Sequence, residues 1–129
     1  MAKAPFNVID SSAWLAYFAD EPSARSFAAA IEDIRSLVVP AVCLTEVFKV
    51  VMRQRGEGDA LQAVALMQQG LVEALDAELA LTSAQLGIEL KLPLADSIVY
   101  ATARRYDAVV WTLDADFEGL PGVKYFRKR

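Results

Sequence analysis

Four carboxylates in this chain stand where side-chain chemistry matters more than solvation: Asp10, Glu46, Asp96 and Asp114. Asp10 and Asp114 follow the short apolar runs FNVI and AVVW closely, Asp96 falls in the first turn of a helical pattern, and Glu46 projects from a strip shared with Val42 and Val50. Brought together, they are oxygen donors that repel one another by about 4 kcal/mol for two charges ~4 Å apart at an effective dielectric of ~20. Such a set holds protons tightly or recruits a cation. The chain has no histidine, which excludes Ser-His-Asp and Cys-His catalysis and a His-ligated zinc site. Oxygen-only donors suit Mg²⁺ or Mn²⁺. The chemistry such an ion offers is to lower the pKa of a bound water, orient it for in-line attack and stabilise charge on a phosphodiester. Metal-assisted phosphodiester hydrolysis is the expected reaction.

Each placement also has a plainer reading. Ser11 and Ser12 supply capping groups for a helix that begins near Ala13, and Asp10 is itself a residue type that caps helices. Lys49 and Arg53 lie on nearly the same azimuth as Glu46, so an ion pair there competes with a role as metal or water ligand. A buried carboxylate with neither partner would be costly.

The elements that would position these acids follow from patterning. Residues 6–9 and 37–39 are short apolar strands, and residues 108–112 form a strand without polar alternation, the mark of a parallel sheet covered on both faces. Asp10 and Asp114 then emerge at carboxyl ends of strands, the edge where sites form in open α/β sheets. Residues 21–34 read as one helix opened by Pro22, with Phe27, Ala30, Ile31 and Ile34 inward. Pro40 starts a helix that runs to about Arg55, where Gly56 ends it, and a fourth helix from Glu57 to about Gln69 presents Leu61, Val64, Ala65 and Gln68. LVEAL is a brief strand, with Glu73 facing away from the core. Residues 77–91 form a helix with Leu79, Leu86 and Leu90 inward. The helix carrying Asp96 turns Leu94, Ala95, Ile98, Val99 and Thr102 inward and ends on Arg104 and Arg105, which suits its dipole. Residues 123–126 read as an edge strand before a basic tail over 127–129. Strands alternating with helices imply a three-layer α/β/α single domain over residues 1–129, built on a short, mostly parallel central sheet.

Composition sets the outer bounds. A 129-residue chain with 55% hydrophobic and 23% charged residues is globular, and it lacks the ~18 uninterrupted apolar residues of a membrane span. Lys3 leads straight into FNVID without the apolar core of a signal peptide, and a lone Cys43 makes no internal disulfide; both point to the cytoplasm. A net charge of −4 gives no global footprint for nucleic acid, so any such binding is local.

With these residues in place, the chain resembles the PIN-domain family, and most closely its VapC-type toxins. The matching pieces are VIDSSAWLAYF with Asp10, LTEVFKVV with Glu46, LPLADSIVYATA with Asp96, and VVWTLDADF with Asp114, in the family's order over nearly the whole chain. The resemblance implies a Mg²⁺- or Mn²⁺-dependent endoribonuclease that is the toxin of a toxin–antitoxin pair. It further implies a homodimer, restrained by a VapB-like antitoxin whose C-terminal segment covers the acidic groove. It makes Asp10, Glu46, Asp96 and Asp114 the catalytic acids and Asp10, Asp96 and Asp114 the metal ligands, with Glu46 acting on the activated water or ligating. Ser11 and Thr112 match supporting positions, and Asp116 divides evenly between a site role and a turn residue before Phe117.

Two other classes share this topology: a phosphoacceptor or phosphatase domain, which forms an aspartyl phosphate and wants a lysine near the acids, and a non-catalytic binding module. Lys49, Arg53, Arg104, Arg105 and the 127–129 tail are the cationic residues available to phosphate.

Overall fold

A computed structural model describes residues 5–128; Lys3 and Arg129, both used in the sequence reading, lie outside the described residues. Five strands, β1 (Asn7–Ile9), β2 (Leu37–Pro40), β3 (Leu71–Glu73), β4 (Val109–Thr112) and β5 (Val123–Tyr125), form one sheet in the order β3-β2-β1-β4-β5. Every pairing is parallel. Six helices connect or cover them: α1 (Ser11–Phe18), α2 (Ala28–Glu32), α3 (Ala41–Arg55), α4 (Glu57–Met67), α5 (Ala77–Leu90) and α6 (Leu94–Arg105). The chain steps from β1 outward to β2 and β3, then returns across the sheet to β4. Right-handed crossovers therefore place α1 to α4 on one face and α5 and α6 on the other. The three central strands are apolar because both faces are covered, and Val8, Ile9, Val38, Val39 and Val110 are fully buried.

The expected strands all form, with β3 and β5 at the two edges. The single helix expected over 21–34 is instead broken. Pro22–Ser26 is a 3-10 turn, Phe27 leaves helical geometry at φ −130° as its ring enters the core, and a second 3-10 turn follows at Ile34–Ser36. The breaks rotate Ile34 off the inward stripe, and it is exposed while Phe27, Ala30 and Ile31 are buried. On α4 the buried face is Ala60, Ala63 and Met67, one step around from the expected Leu61 and Gln68; small alanines let α4 lie close against α3. Leu94 also departs from expectation. It opens α6 pointing to solvent, whereas Ser97 to Ala103 are buried nearly all round because α6 lies across β1, β2 and β4.

Two features pin the elements that carry the acids. Gly87 of α5 faces Ser97 of α6, where an added Cβ would lie 3.2 Å from Ser97 Oγ, so these helices cross closely beside the Asp96 turn. After β4, the fully buried Phe117 and the Tyr100 hydroxyl, which donates to the Pro121 carbonyl at 2.7 Å, hold the segment containing Asp114 against α6.

Gly70 sits where the end of α4 meets β2, and a Cβ there would be 2.9 Å from both the Leu37 carbonyl oxygen and Leu37 Cγ. Gly70→Ala is expected to destabilise the domain by roughly 1–3 kcal/mol through this overpacking. Gly58→Ala, in the first turn of α4 with open space around it, is expected to be neutral or to stabilise by up to about 1 kcal/mol. Urea unfolding of the two variants checks the contrast; equal midpoints would refute the close approach at Gly70.

Candidate metal centre at the sheet edge

The strand order reverses between β1 and β4, and the crevice beyond their carboxyl ends is the switch point at which open α/β sheets place ligands. Asp10 leaves β1 there as the N-cap of α1, 3% exposed. Its Oδ2 accepts from the Ser12 hydroxyl at 2.7 Å, the Thr112 hydroxyl at 2.9 Å and, more weakly, the Ser12 N–H at 3.4 Å. The capping reading of Asp10 is thus true of the geometry. All three bonds fall on Oδ2, so ligation by Asp10 would use Oδ1. Burial pushes its pKa up, the hydroxyl bonds pull it down, and the Asp114 charge adds to the rise.

Asp114 leaves the end of β4. Its N–H donates to Thr112 Oγ1 at 2.9 Å, and its Oδ1 accepts from the Asp116 N–H at 2.9 Å, closing the 3-10 turn Ala115–Phe117. That turn brings Asp116 to the same side. Asp96, Asp114 and Asp116 each offer a carboxylate oxygen within 4.8 Å of the others. Asp116, undecided in the sequence, is therefore one of the three acids the structure gathers. The Asp-x-Asp spacing at a strand exit was its signal. Asp10 lies outside this group of three but close enough for its charge to act on Asp96. Glu46 is outside it as well, and its Oε1 accepts from the Ser11 hydroxyl at 2.7 Å. The ion pair with Lys49 or Arg53 that competed with a ligand role does not form among the described residues.

Asp96 carries the strain of this arrangement. Burial, then the charges of Asp114 and Asp10, a side-chain hydrogen bond with Asp114 and the charge of Asp116 push its pKa to about 8. Its place in the first turn of α6 favours the ionised form, since a helix N-terminus attracts negative charge, yet burial and three acidic neighbours outweigh the dipole. Among the described residues no cationic side chain forms an ion pair with this cluster. Three carboxylate oxygens at this spacing and no nitrogen or sulfur donor match a hard cation with bonds of ~2.1 Å, as Mg²⁺ makes. Cys43 is no alternative ligand, because burial drives its thiol pKa upward.

Two of the candidate phosphate contacts are engaged elsewhere. Arg105 makes ion pairs with Glu73 at 3.3 Å and Asp76 at 3.1 Å, and Arg104 lies over the Tyr100 ring. Lys49 lines a groove between α3 and α4, and Arg127 lies beside Phe126 and Arg25. Lys124 stacks 4.5 Å above the Trp111 ring, which removes the lysine that a phosphoacceptor site would want.

The sequence profile of the PIN domain matches residues 8–123. The chain belongs to the PIN-domain family. No curated protein sequence matches it. Among solved structures, it is similar to a toxin–antitoxin complex from Klebsiella pneumoniae, at 22% identity over 92% of this chain and 95% of the other, with a TM-score of 0.77. It is likewise similar to Mycobacterium tuberculosis VapC20, described as a sarcin-ricin loop cleaving toxin, at 20% identity over 91% and 96%, TM-score 0.75. A DNA-bound VapBC from Salmonella typhimurium matches at 17% identity over 95% and 98%, TM-score 0.72. At these identities the likeness is one of fold, and the all-parallel sheet with helices on both faces is the PIN fold. No helix among the described residues is long and apolar enough to cross a membrane.

The raised pKa of Asp96 makes the metal-free PIN domain pH-sensitive. Between the unfolded value of 3.8 and about 8 the folded state binds more protons than the unfolded one, so stability falls as pH rises through that window. Asp10, shifted in the same direction, adds to the trend. Asp96→Asn is expected to flatten the dependence and raise the melting temperature above pH 8. Thermal melts in chelator from pH 5 to 9 test this; parallel curves for the variant and the parent would refute it.

Proposed function

We propose that this PIN domain is a divalent-metal-dependent endoribonuclease and the toxin of a toxin–antitoxin pair, with Asp10, Glu46, Asp96 and Asp114 as catalytic acids and Asp116 as a further ligand candidate. The observation that carries this reading is the meeting of Asp96, Asp114 and Asp116 at the β1/β4 switch point, beside the buried Asp10. Mg²⁺ or Mn²⁺ held there supplies a lowered pKa for water and neutralisation of phosphodiester charge. The chain's own residues do the positioning. Asp96 and Asp114 face one another across the crevice, the Asp114 turn aims Asp116 beside them, and Asp10 lies close enough for its charge to act on Asp96. Glu46, held at one oxygen by Ser11, keeps its other oxygen for a proton from the attacking water or for the ion. The cluster repels phosphate until a cation is bound, so RNA binding and metal binding are coupled.

Support for the toxin role comes from the structural relatives, a toxin–antitoxin complex and a sarcin-ricin loop cleaving toxin among them. Besides the acidic groove that its C-terminal segment would cover, a VapB-like antitoxin has an apolar groove of about 460 Å³ available between α3 and α4, lined by Leu44, Phe48, Val64 and Lys49. Homodimer formation fits the exposed Leu81 and Ile88, two turns apart on one face of α5. Cytoplasmic location follows from the same role.

Purified protein with Mn²⁺ or Mg²⁺ is expected to cleave RNA endonucleolytically and to stop on chelation. Asp96→Asn and Asp114→Asn are expected to lose more activity than the roughly 10–100-fold that outer-shell changes cost at metal sites. Unchanged cleavage in both variants, or cleavage in excess chelator, would overturn the reading. A pure binding module would show no metal-dependent cleavage in the parent protein.

A further inference from the structure

A parallel ladder advances two residues at a time on each strand. Where β4 enters the sheet, the Val109 N–H donates to the Phe6 carbonyl at 2.8 Å. Continued to the strand exits, the same register would bring the Leu113 N–H to the Asp10 carbonyl. That carbonyl is not available. It has turned into α1, where it accepts from the N–H groups of Ala13 and Trp14, both at 3.0 Å. A strand that stops one bond short leaves a backbone donor to be satisfied near the core, and Leu113 is itself buried. Ser12 supplies the missing acceptor: its Oγ takes the Leu113 N–H at 3.0 Å.

The same hydroxyl gives its single proton to Asp10 Oδ2 at 2.7 Å. Thr112 repeats the pattern one residue on, accepting from the Asp114 N–H and donating to the same Oδ2 at 2.9 Å. Two consecutive amides of the β4 exit are thus tied through two hydroxyls to one carboxylate oxygen of the β1 exit. The two hydroxyl oxygens are 3.3 Å apart, and with both protons given to Asp10 that contact is packing rather than a further bond. Ser12 contributes little as a helix cap by comparison. Its own N–H reaches Asp10 at only 3.4 Å, and its hydroxyl bonds a residue 101 positions away rather than the first turn of α1.

We propose that Ser12 is a positioning residue of the acidic site. Its hydroxyl fixes the exit of β4 against that of β1, and so sets where Asp114 and Asp116 stand relative to Asp96 and Asp10. The role rests on the metal-site reading above. Asp96 comes from α6, on the opposite face of the sheet, so its distance to the Asp114 turn depends on how that turn is anchored. Phe117 and Tyr100 anchor the far end of the segment; Ser12 and Thr112 anchor the near end. Removing the Ser12 hydroxyl frees the Leu113 amide and lets the turn shift by the few tenths of an ångström that spoil a three-oxygen site.

The test is Mn²⁺ binding, titrated by electron paramagnetic resonance on the purified full chain, alongside RNA cleavage. Ser12→Ala is expected to weaken Mn²⁺ binding by about 10–100-fold, the range for outer-shell changes at metal sites. At Mn²⁺ concentrations that saturate each protein it is expected to lower kcat by a similar factor with KM for RNA nearly unchanged, and Ser12→Thr, which keeps the hydroxyl, to recover most of both. Ser83→Ala is the comparison, because Ser83 is a buried serine whose hydroxyl bonds only the Leu79 carbonyl. It should lower the melting temperature without moving Mn²⁺ affinity. If Ser12→Ala fails to fold, Ser12→Cys keeps the side-chain size with a much weaker donor and acceptor, and the same loss is expected. Equal Mn²⁺ affinity in the parent and the hydroxyl-free variant overturns the positioning role and leaves the nuclease reading intact. Weakened Mn²⁺ binding in a protein that cleaves no RNA upholds the role and removes the nuclease. No Mn²⁺ binding by the parent protein removes both.

Discussion

The placement of the Asp10 carboxylate is the condition on which the site rests. It is taken out of water at the junction of the two central strands, where an uncompensated carboxylate would not stay ionised, and one of its oxygens collects two hydroxyl donors. Those donors come from different ends of the chain. Ser12 follows β1 and Thr112 ends β4, so the charge does what the backbone ladder no longer does past Trp111, whose carbonyl accepts the last ladder bond from the Asp10 N–H. A buried acid therefore holds together the two strand exits that open the crevice.

The neighbouring acids pull the other way. Asp96, Asp114 and Asp116 stand close enough that each close pair of charges costs roughly 3 kcal/mol before solvent screening, and burial falls mainly on Asp96. Packing supplies what holds them there. Phe117 locks the Asp114 turn, and the close crossing of α5 and α6 at Gly87 and Ser97 locks the turn that carries Asp96. The core thus keeps like charges together, an arrangement that a bound cation would relieve. This is the sense in which site and stability oppose one another in this domain.

How much of this the sequence discloses differs from element to element. Apolar runs between Gly, Pro and Asp punctuation locate every strand, and a helix-period pattern locates α3, α5 and α6, because burial on both faces of a parallel sheet leaves a strong signal. The break at Phe27 is hidden, since a single aromatic drawn into the core overrides a segment that is otherwise a good helix. The buried face of α4 is also hidden, because the approach to α3 selects small alanines over the larger Leu61, and volume-blind periodicity ranks them the other way. Of the acids the structure gathers, Asp96 and Asp114 are legible from a helix's first turn and a strand exit, whereas Asp10 stands beside that group and Glu46 outside it, bonded to Ser11. Asp116 is only half legible, from its spacing to Asp114, and Ser12 is not, because their places depend on a turn closed by a backbone N–H and on a ladder bond that the Asp10 carbonyl has left unfilled.

The distribution of positive charge completes the picture. The two arginines of α6 lie in its last turn, nine positions beyond Asp96 for Arg105, which at 1.5 Å per residue is about 13 Å along the axis. That exceeds the Debye length of about 8 Å at physiological ionic strength, so their charge is largely screened from the site. Arg105 is further committed to Glu73 and Asp76, joining the end of α6 to β3 and to the start of α5. The helix dipole explains the arrangement: an acid in the first turn and bases in the last are each favoured where they stand, and the same preference keeps them apart. The acidic cluster is therefore left without a side-chain counterion by the geometry of the helix that carries its most perturbed member. Such a cluster repels any anion until its charge is offset, so in the proposed reaction a cation from solution would have to accompany the phosphate.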